Sequence, residues 1–438
     1  MLKYLTILSL LSGSLTAFGF SIQQAMQTAF ERNPKTQANE LRLKAMEERT
    51  KAAWLAFLPR FYTGYSAGSD RSRSDSGMGW DASRSSSQNI NYGLSFNIFD
   101  GGVRYYNAKS AEAGEKTRRA QYNSTDSRIP NTRGAIAEQV FNAYTNILRF
   151  QETIAFELMI LEAQVKILKI AKTPEEQNRI KSLIASSEAR LSNARFELAD
   201  AARDFENVVK IPMPQNIENY EQTVASIIVP PNHHAAIEVA LTKSPELNVA
   251  SYQLEQMNLE FQADRASMTR PTISVNISKS HGLNNSANDP FNARSDRTTA
   301  IASITWSLSP PESAFSKAAA LEIEALQKDK DGVLDDLKFN IESAYPRLEN
   351  FSSSAEQYNQ ILKNGKRALN SALEKIDNGD EVKVDDALSL IGVLQAGFYP
   401  AVVAKQSLLI AKFSLQKTIG TLFDEVTAHY ESTAGGKK

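Results

Sequence analysis

The chain has 438 residues, 49 basic against 50 acidic, with 20 Gly, 15 Pro and no Cys. A balanced charge argues against a nucleic-acid binder, which carries a basic excess, and a chain without cysteine has no disulfide, no thiolate metal site, no cysteine nucleophile and no acylated N-terminal cysteine. No segment beyond the N-terminus is expected to supply the roughly 18–20 apolar residues of a spanning helix, which disfavours a helical transporter.

Residues 1–19 have the pattern of an export leader: Lys3, an apolar run from Leu5 to Leu11, and Ala17-Phe18-Gly19 as a small-x-small cleavage signal, so cleavage is expected after Gly19. The remainder repeats with a period of about 210 residues. The first repeat spans 20–214, a proline-rich linker 215–232, the second repeat 233–430 and a disordered tail 431–438. Ser21–Arg60 and Ala235–Pro271 correspond: a short helix, a polar residue before proline (Asn33-Pro34, Ser244-Pro245), then a longer helix.

Two alternating segments follow in each repeat, at about 60–68 and 88–99, then at about 272–280 and 298–308. Ile90, Tyr92, Leu94, Phe96 and Ile98 fall on one face, with Asn89, Asn91, Gly93, Ser95 and Asn97 on the other. Ile273, Val275 and Ile277 repeat the pattern, as do Ile304, Trp306 and Leu308; the first segment, Phe61–Gly68, is weaker. Period-two alternation over such lengths suits strands with a lipid-facing apolar side, or a soluble sheet covered by helices. The connections, Gly68–Gln88 with eight serines and Lys279–Arg297, are expected to be long polar loops. Four strands cannot close a membrane barrel, and lipid offers nothing to an open sheet edge, so a membrane location requires several chains to pool their strands.

Long helices are expected at 103–171, 175–209, 312–376 and 384–427, with 4,3-spaced apolar and small residues such as Ile154, Leu158, Leu161, Val165 and Leu168 forming coiled-coil seams. Pro130, Pro346 and Pro400 should each kink or break a helix, and Pro130 lies in an irregular polar stretch, Asn123–Gly134.

No phosphate loop, zinc-protease motif, nucleophile elbow or calcium loop is present, so neither an enzyme nor a cofactor or metal is expected. Ser414–Lys417 matches SxxK without partner motifs; His233-His234 is taken as an exposed linker pair, and His281 and His429 as isolated. The connection between the second repeat's long helices carries Asp380, Glu381, Asp385 and Asp386. Charges in such a turn are either solvated or, in a symmetric oligomer, ring-forming and cation-attracting. Asp385 and Asp386 are expected inside the following helix, beyond the reach of capping.

The chain resembles the TolC family of outer-membrane efflux proteins. The resemblance rests on the tandem AMQTAFERNP and VALTKSP openings, the strand-to-helix junction SFNIFDGG at Ser95–Gly102, the helix signature at Val140–Tyr144 echoed at Ile341–Tyr345, and the return helix after Gly379. It implies a mainly α chain with a small membrane β part. Three copies would pool four strands each into a twelve-strand barrel, continuing into a twelve-helix periplasmic tunnel. It further implies an outer-membrane location and a passive duct for efflux or type I secretion. The implied partners are a periplasmic adaptor, an inner-membrane ABC or proton-driven transporter, and outer-membrane lipid. The helical tips at Lys172, Thr173, Pro174 and Gly379 would meet the adaptor. The family's gate aspartates, six and nine residues after the tip glycine, fall on Asp385 and Leu388, so half the pattern is met. A soluble periplasmic coiled-coil scaffold or adaptor is the alternative.

Overall fold

The computed structural model describes residues 19–75, 80–124, 132–286, 293–306 and 312–424. In chain order these form α1 (Ile22–Arg32), α2 (Pro34–Leu55), β1 (Arg60–Asp75), β2 (Trp80–Phe99), α3 (Val103–Asn123), α4 (Arg133–Ile170), α5 (Pro174–Val209), α6 (Tyr220–Ser226), α7 (His233–Lys243), α8 (Pro245–Thr269), β3 (Thr272–Ser286), β4 (Ala293–Thr305), α9 (Glu312–Asp377) and α10 (Val384–Ile419). The chain is mainly helical with one small sheet. The leader up to Phe18, Pro130, Leu308, His429 and the tail lie outside the described residues.

The repeat is written into local structure. Ser21 starts α1 with a reciprocal capping box to Gln24, and Asn33 ends it in extended conformation because proline follows. Pro34 then opens α2, where its missing N–H costs nothing. Ser244 and Pro245 make the same break between α7 and α8.

Two compact units are present, and their boundaries fall inside α2, α3, α8 and α9. The sheet unit (Leu43–Arg118, Val249–Asp331) holds all four strands. They pair antiparallel in the order β1-β2-β3-β4, so β2 and β3 join one repeat to the other. Phe61, Leu94, Ile277 and Ala300 lie in one cross-strand row, and Tyr65, Ile90 and His281 in another, so the apolar sides of all four strands coincide. The other face is polar: Tyr62 donates to Asn276 Oδ1 at 3.0 Å, and the Ser274 and Ser303 hydroxyls meet at 2.7 Å. At the β2–α3 junction, Gly101 and Gly102 have φ +71° and +93°, conformations open to glycine. Asp100 accepts there from Gly102 N–H at 3.1 Å and Arg104 Nε at 2.6 Å, starting α3.

The helical unit takes its described residues from Met1–Arg42, Arg119–Asn248 and Gly332–Lys438. One core packs Ile22, Met26 and Phe30 of α1 against Ile136, Phe141, Tyr144 and Ile147 of α4, with Phe205 of α5 and Phe413 of α10. Phe141 and Phe413 stack at 4.1 Å. Each such side chain contributes about 1.5–3 kcal/mol by leaving water. Small buried residues along α4 and α5, Ala163, Ser187, Ala194 and Ala201, let these helices approach closely.

Several expectations change. The segments read as polar loops are mostly strand: Gly68–Asp75 pairs with Trp80–Ser87, and Leu283–Asn284 with Ala293–Arg294. Backbone ladders form whether or not a face is apolar, so side-chain alternation understated the strands. Residues 215–232 are packed rather than a bare linker: they contain α6, with Tyr220 and Thr223 buried, and Gln416 Nε2 donates to Ile228 O at 2.7 Å. Pro346 and Pro400 sit within α9 and α10 without ending them. His233 and His234 occupy the first turn of α7, their rings 4.1 Å apart, rather than a loop. His281 is not isolated, since Asp296 is bonded to its Nδ1 and the Tyr92 ring lies 6.1 Å away. α10 is long and apolar enough to cross a membrane, contrary to expectation; half of that stretch is buried inside the structure, which explains its apolarity by packing.

Candidate functional site

Two helix hairpins of the helical unit end side by side. The α4–α5 connection runs through Ala171, Lys172 and Thr173. Thr173 Oγ1 accepts from Glu176 N–H at 3.2 Å, and Glu176 Oε2 accepts from the N–H groups of Thr173 and Lys172 at 3.1 and 3.0 Å. These bonds to its charged form hold the Glu176 carboxyl below its ordinary value. Pro174 fills the first helical position. The α9–α10 connection turns on Gly379, whose φ of +82° is left-handed. Gly379 N–H donates to Ile376 O at 3.1 Å and Asp380 N–H to Lys375 O at 2.9 Å, which satisfies carbonyls at the end of α9. Lys383 precedes α10 with no side-chain cap.

Asp385 and Asp386 are in the first turn of α10, not deep in the helix. There the helix dipole favours a carboxylate, so their presence has a local explanation that the sequence reading had set aside. They face outward, while Val384, Ala387, Leu388 and Ile391 turn inward. The same core holds Ile160, Ile167 and Ile180, and Phe156 stacks on Phe398 with ring centres 3.8 Å apart. Leu388, at the second expected aspartate position, is therefore a core residue.

Three ion pairs join the tips. Lys166 Nζ lies 2.8 Å from Asp377 Oδ2, Arg179 Nη1 3.0 Å from Asp385 Oδ1, and Lys172 Nζ 3.7 Å from Glu381 Oε1. All are exposed on at least one side, so each adds little to stability. The hydrogen bond to Asp377 raises the Lys166 ammonium pKa. Asp380 and Asp386 form no ion pair among the described residues.

Sequence reasoning missed a polar cluster deeper in the unit. Glu157 of α4 is fully buried, and its Oε1 accepts from Arg190 Nε of α5 at 2.9 Å and from the Tyr399 hydroxyl of α10 at 2.8 Å. Burial, then the bond to Glu157, pushes the Tyr399 phenol up to about 12. The available signal was one carboxylate in the apolar run Ile154–Ile160.

On the sheet, Ile90, Leu94, Ile277 and Ile304 are exposed on the shared apolar face, Ile304 at 73%. Tyr92, Phe96, Ile273 and Val275 share that face by register. Ile98 falls at a bulge, after which Phe99 takes the place opposite Ile273. Trp306 follows β4, and Phe61 and Tyr65 of β1 complete the face.

A family model described as "Outer membrane efflux protein" matches residues 25–177. No curated protein matches the chain in sequence. Among solved structures, the open state of the MtrE outer membrane channel of Neisseria gonorrhoeae is 16% identical, covering 91% of this chain and 88% of its own, with a TM-score of 0.69. The outer membrane protein VceC of Vibrio cholerae is 14% identical, covering 91% and 96%, at 0.64. The Campylobacter jejuni CmeC outer membrane channel is 14% identical, covering 91% and 85%, at 0.64. At such identities the likeness is one of fold. The family match lies in the first repeat, and the fold of these outer membrane channels is shared through both repeats.

Proposed function

We propose that the chain is the passive exit duct of an export system and works as a homotrimer. The observation that carries this is the sheet. It has four strands, an apolar face with Phe61 at 70% exposed, and free edges on β1 and β4 among the described residues. In lipid such edges need partners, and other copies of the same sheet provide them. Three copies make twelve strands, within the range of outer-membrane barrels. A soluble scaffold would leave the apolar face without a cover.

In this reading the tips close the periplasmic end. Asp385, repeated by symmetry, forms the constriction ring, with Asp386, Asp380 and Glu381 adding to a cation-attracting mouth. Lys172, Thr173, Pro174 and Gly379 meet the adaptor, which couples the duct to an inner-membrane ABC or proton-driven transporter. Efflux of small molecules and type I protein secretion would both use the same duct, with the transporter choosing the substrate.

The test is the native mass of protein extracted from outer membranes with detergent. A trimer of about 140 kDa is expected from the 48.4 kDa chain after leader loss. A monomer released by osmotic shock without detergent would overturn the duct.

A further inference from the structure

The start of the described chain is tied into the helical unit by contacts that the duct itself does not call for. Phe20 forms a parallel bridge with Ile217. Its N–H donates to Asn216 O at 2.8 Å, and its carbonyl accepts from Glu218 N–H at 3.3 Å and from the Tyr144 hydroxyl at 2.7 Å. Its ring meets Phe205 edge-on at 6.3 Å. One residue earlier, Gly19 presses on the same backbone: a Cβ there would stand 2.6 Å from Glu218 N.

Beside this bridge is an unsatisfied acid. Glu218 Oε2 is buried without a hydrogen-bond partner, and no ion pair reaches Glu218 among the described residues. Burial raises its carboxyl pKa. The Tyr144 phenol is raised by its own burial and next by the Glu218 charge, so that charge lies close to the hydroxyl holding Phe20. A buried carboxylate oxygen with no partner is costly, and a nearby cation would remove the cost.

We propose that the chain is cut between Gly19 and Phe20, and that the α-ammonium group so created at Phe20 is bound by the Glu218 carboxylate. Water adds across the Gly19–Phe20 amide. The Gly19 carbonyl becomes a carboxylate that departs with the leader, and the Phe20 nitrogen gains protons to become an ammonium. The protease required is of the class that reads small residues at the last and third-last leader positions, here Gly19 and Ala17. Cleavage clears Gly19 from the Ile217–Glu218 backbone. It also turns an amide with one proton, already given to Asn216 O, into a cation with three. Among the described residues, Tyr144 and Glu218 are titratable groups beside this terminus. The proposal rests on the leader and on outer-membrane export, not on the gate, so a trimer with a different first residue would overturn it and leave the duct standing.

The experiment uses full-length chain expressed in a Gram-negative host and purified from its outer membranes. Intact mass and N-terminal sequencing should give a chain starting Phe20-Ser21-Ile22; any other first residue overturns the proposal. The α-amine is then labelled by reductive methylation with 13C-formaldehyde and titrated by NMR. Its pKa should exceed the ordinary 7.7–8.0 by about one unit or more. Glu218→Gln should bring it back to the ordinary range, while Glu218→Asp should retain part of the rise. An ordinary value in the wild type, or equal values in wild type and Glu218→Gln, would refute the pairing. If Glu218→Gln fails to accumulate, the wild-type and Glu218→Asp titrations still decide.

Discussion

At the α4–α5 tip, the chain turns through Ala171–Thr173 and closes on itself: Thr173 caps α5, Glu176 returns the bond, and Pro174 fixes the first helical residue. At the α9–α10 tip, the chain crosses Asn378–Lys383 with a left-handed Gly379 and no side-chain cap on α10. The first hairpin is held by its own residues. The second borrows from the first, through Lys166, Lys172 and Arg179. A segment with weak local ends and borrowed ion pairs opens at lower cost, so α9–α10 is the less firmly held of the two hairpins.

The largest expected effect lies beneath the stable hairpin. Arg190→Ala removes the cation from fully buried Glu157, and breaking a buried pair costs about 3–5 kcal/mol, reduced to roughly 2–3 here because Arg190 is partly exposed. Chemical denaturation should show that loss; an unchanged midpoint would mean that the Arg190–Glu157 pair does not contribute to holding α5 on α4. Smaller is the cap: Thr173→Ala should cost about 1 kcal/mol, while Lys383→Ser, which supplies a cap where none exists, should stabilise by a similar amount. If Lys383→Ser does nothing, the α9–α10 tip is not limited by its helix start. Smallest in stability is Asp385→Ala, at most about 1 kcal/mol. In planar bilayers it should lower cation selectivity and raise open probability, with Asp386→Ala acting more weakly. Unchanged selectivity would move the constriction to Asp380 or Glu381.

Much of the fold was legible because its signals are local. The Asn33-Pro34 and Ser244-Pro245 breaks follow from proline geometry, and the alternation of Ile90–Phe96 and Ile273–Ile277 follows from the pleat. The outer halves of the strands were not legible. Ser69, Ser72 and Ser74 pair through backbone groups, which carry no side-chain signature. The bulge that substitutes Phe99 for Ile98 is likewise a property of two strands together. At the α9–α10 tip, Asp385 and Asp386 stood out by charge, but their place in the first turn depended on where α10 begins. Arg179, the cation that engages Asp385, lies 206 positions away and had no local mark at all.

The strand order has a consequence for assembly in time. The central ladder pairs Ser95 with Asn276, residues on opposite sides of the whole first helical excursion. Neither compact unit is a continuous stretch of chain, and every boundary cuts through a helix. A nascent first repeat can thus form its β1–β2 hairpin and local helices, but it exposes β2 as an unpaired edge until β3 of the second repeat arrives. Closing so long a loop is slow. The interval between the two halves is when this chain is most open to aggregation, and when a holding chaperone would contribute most to its yield.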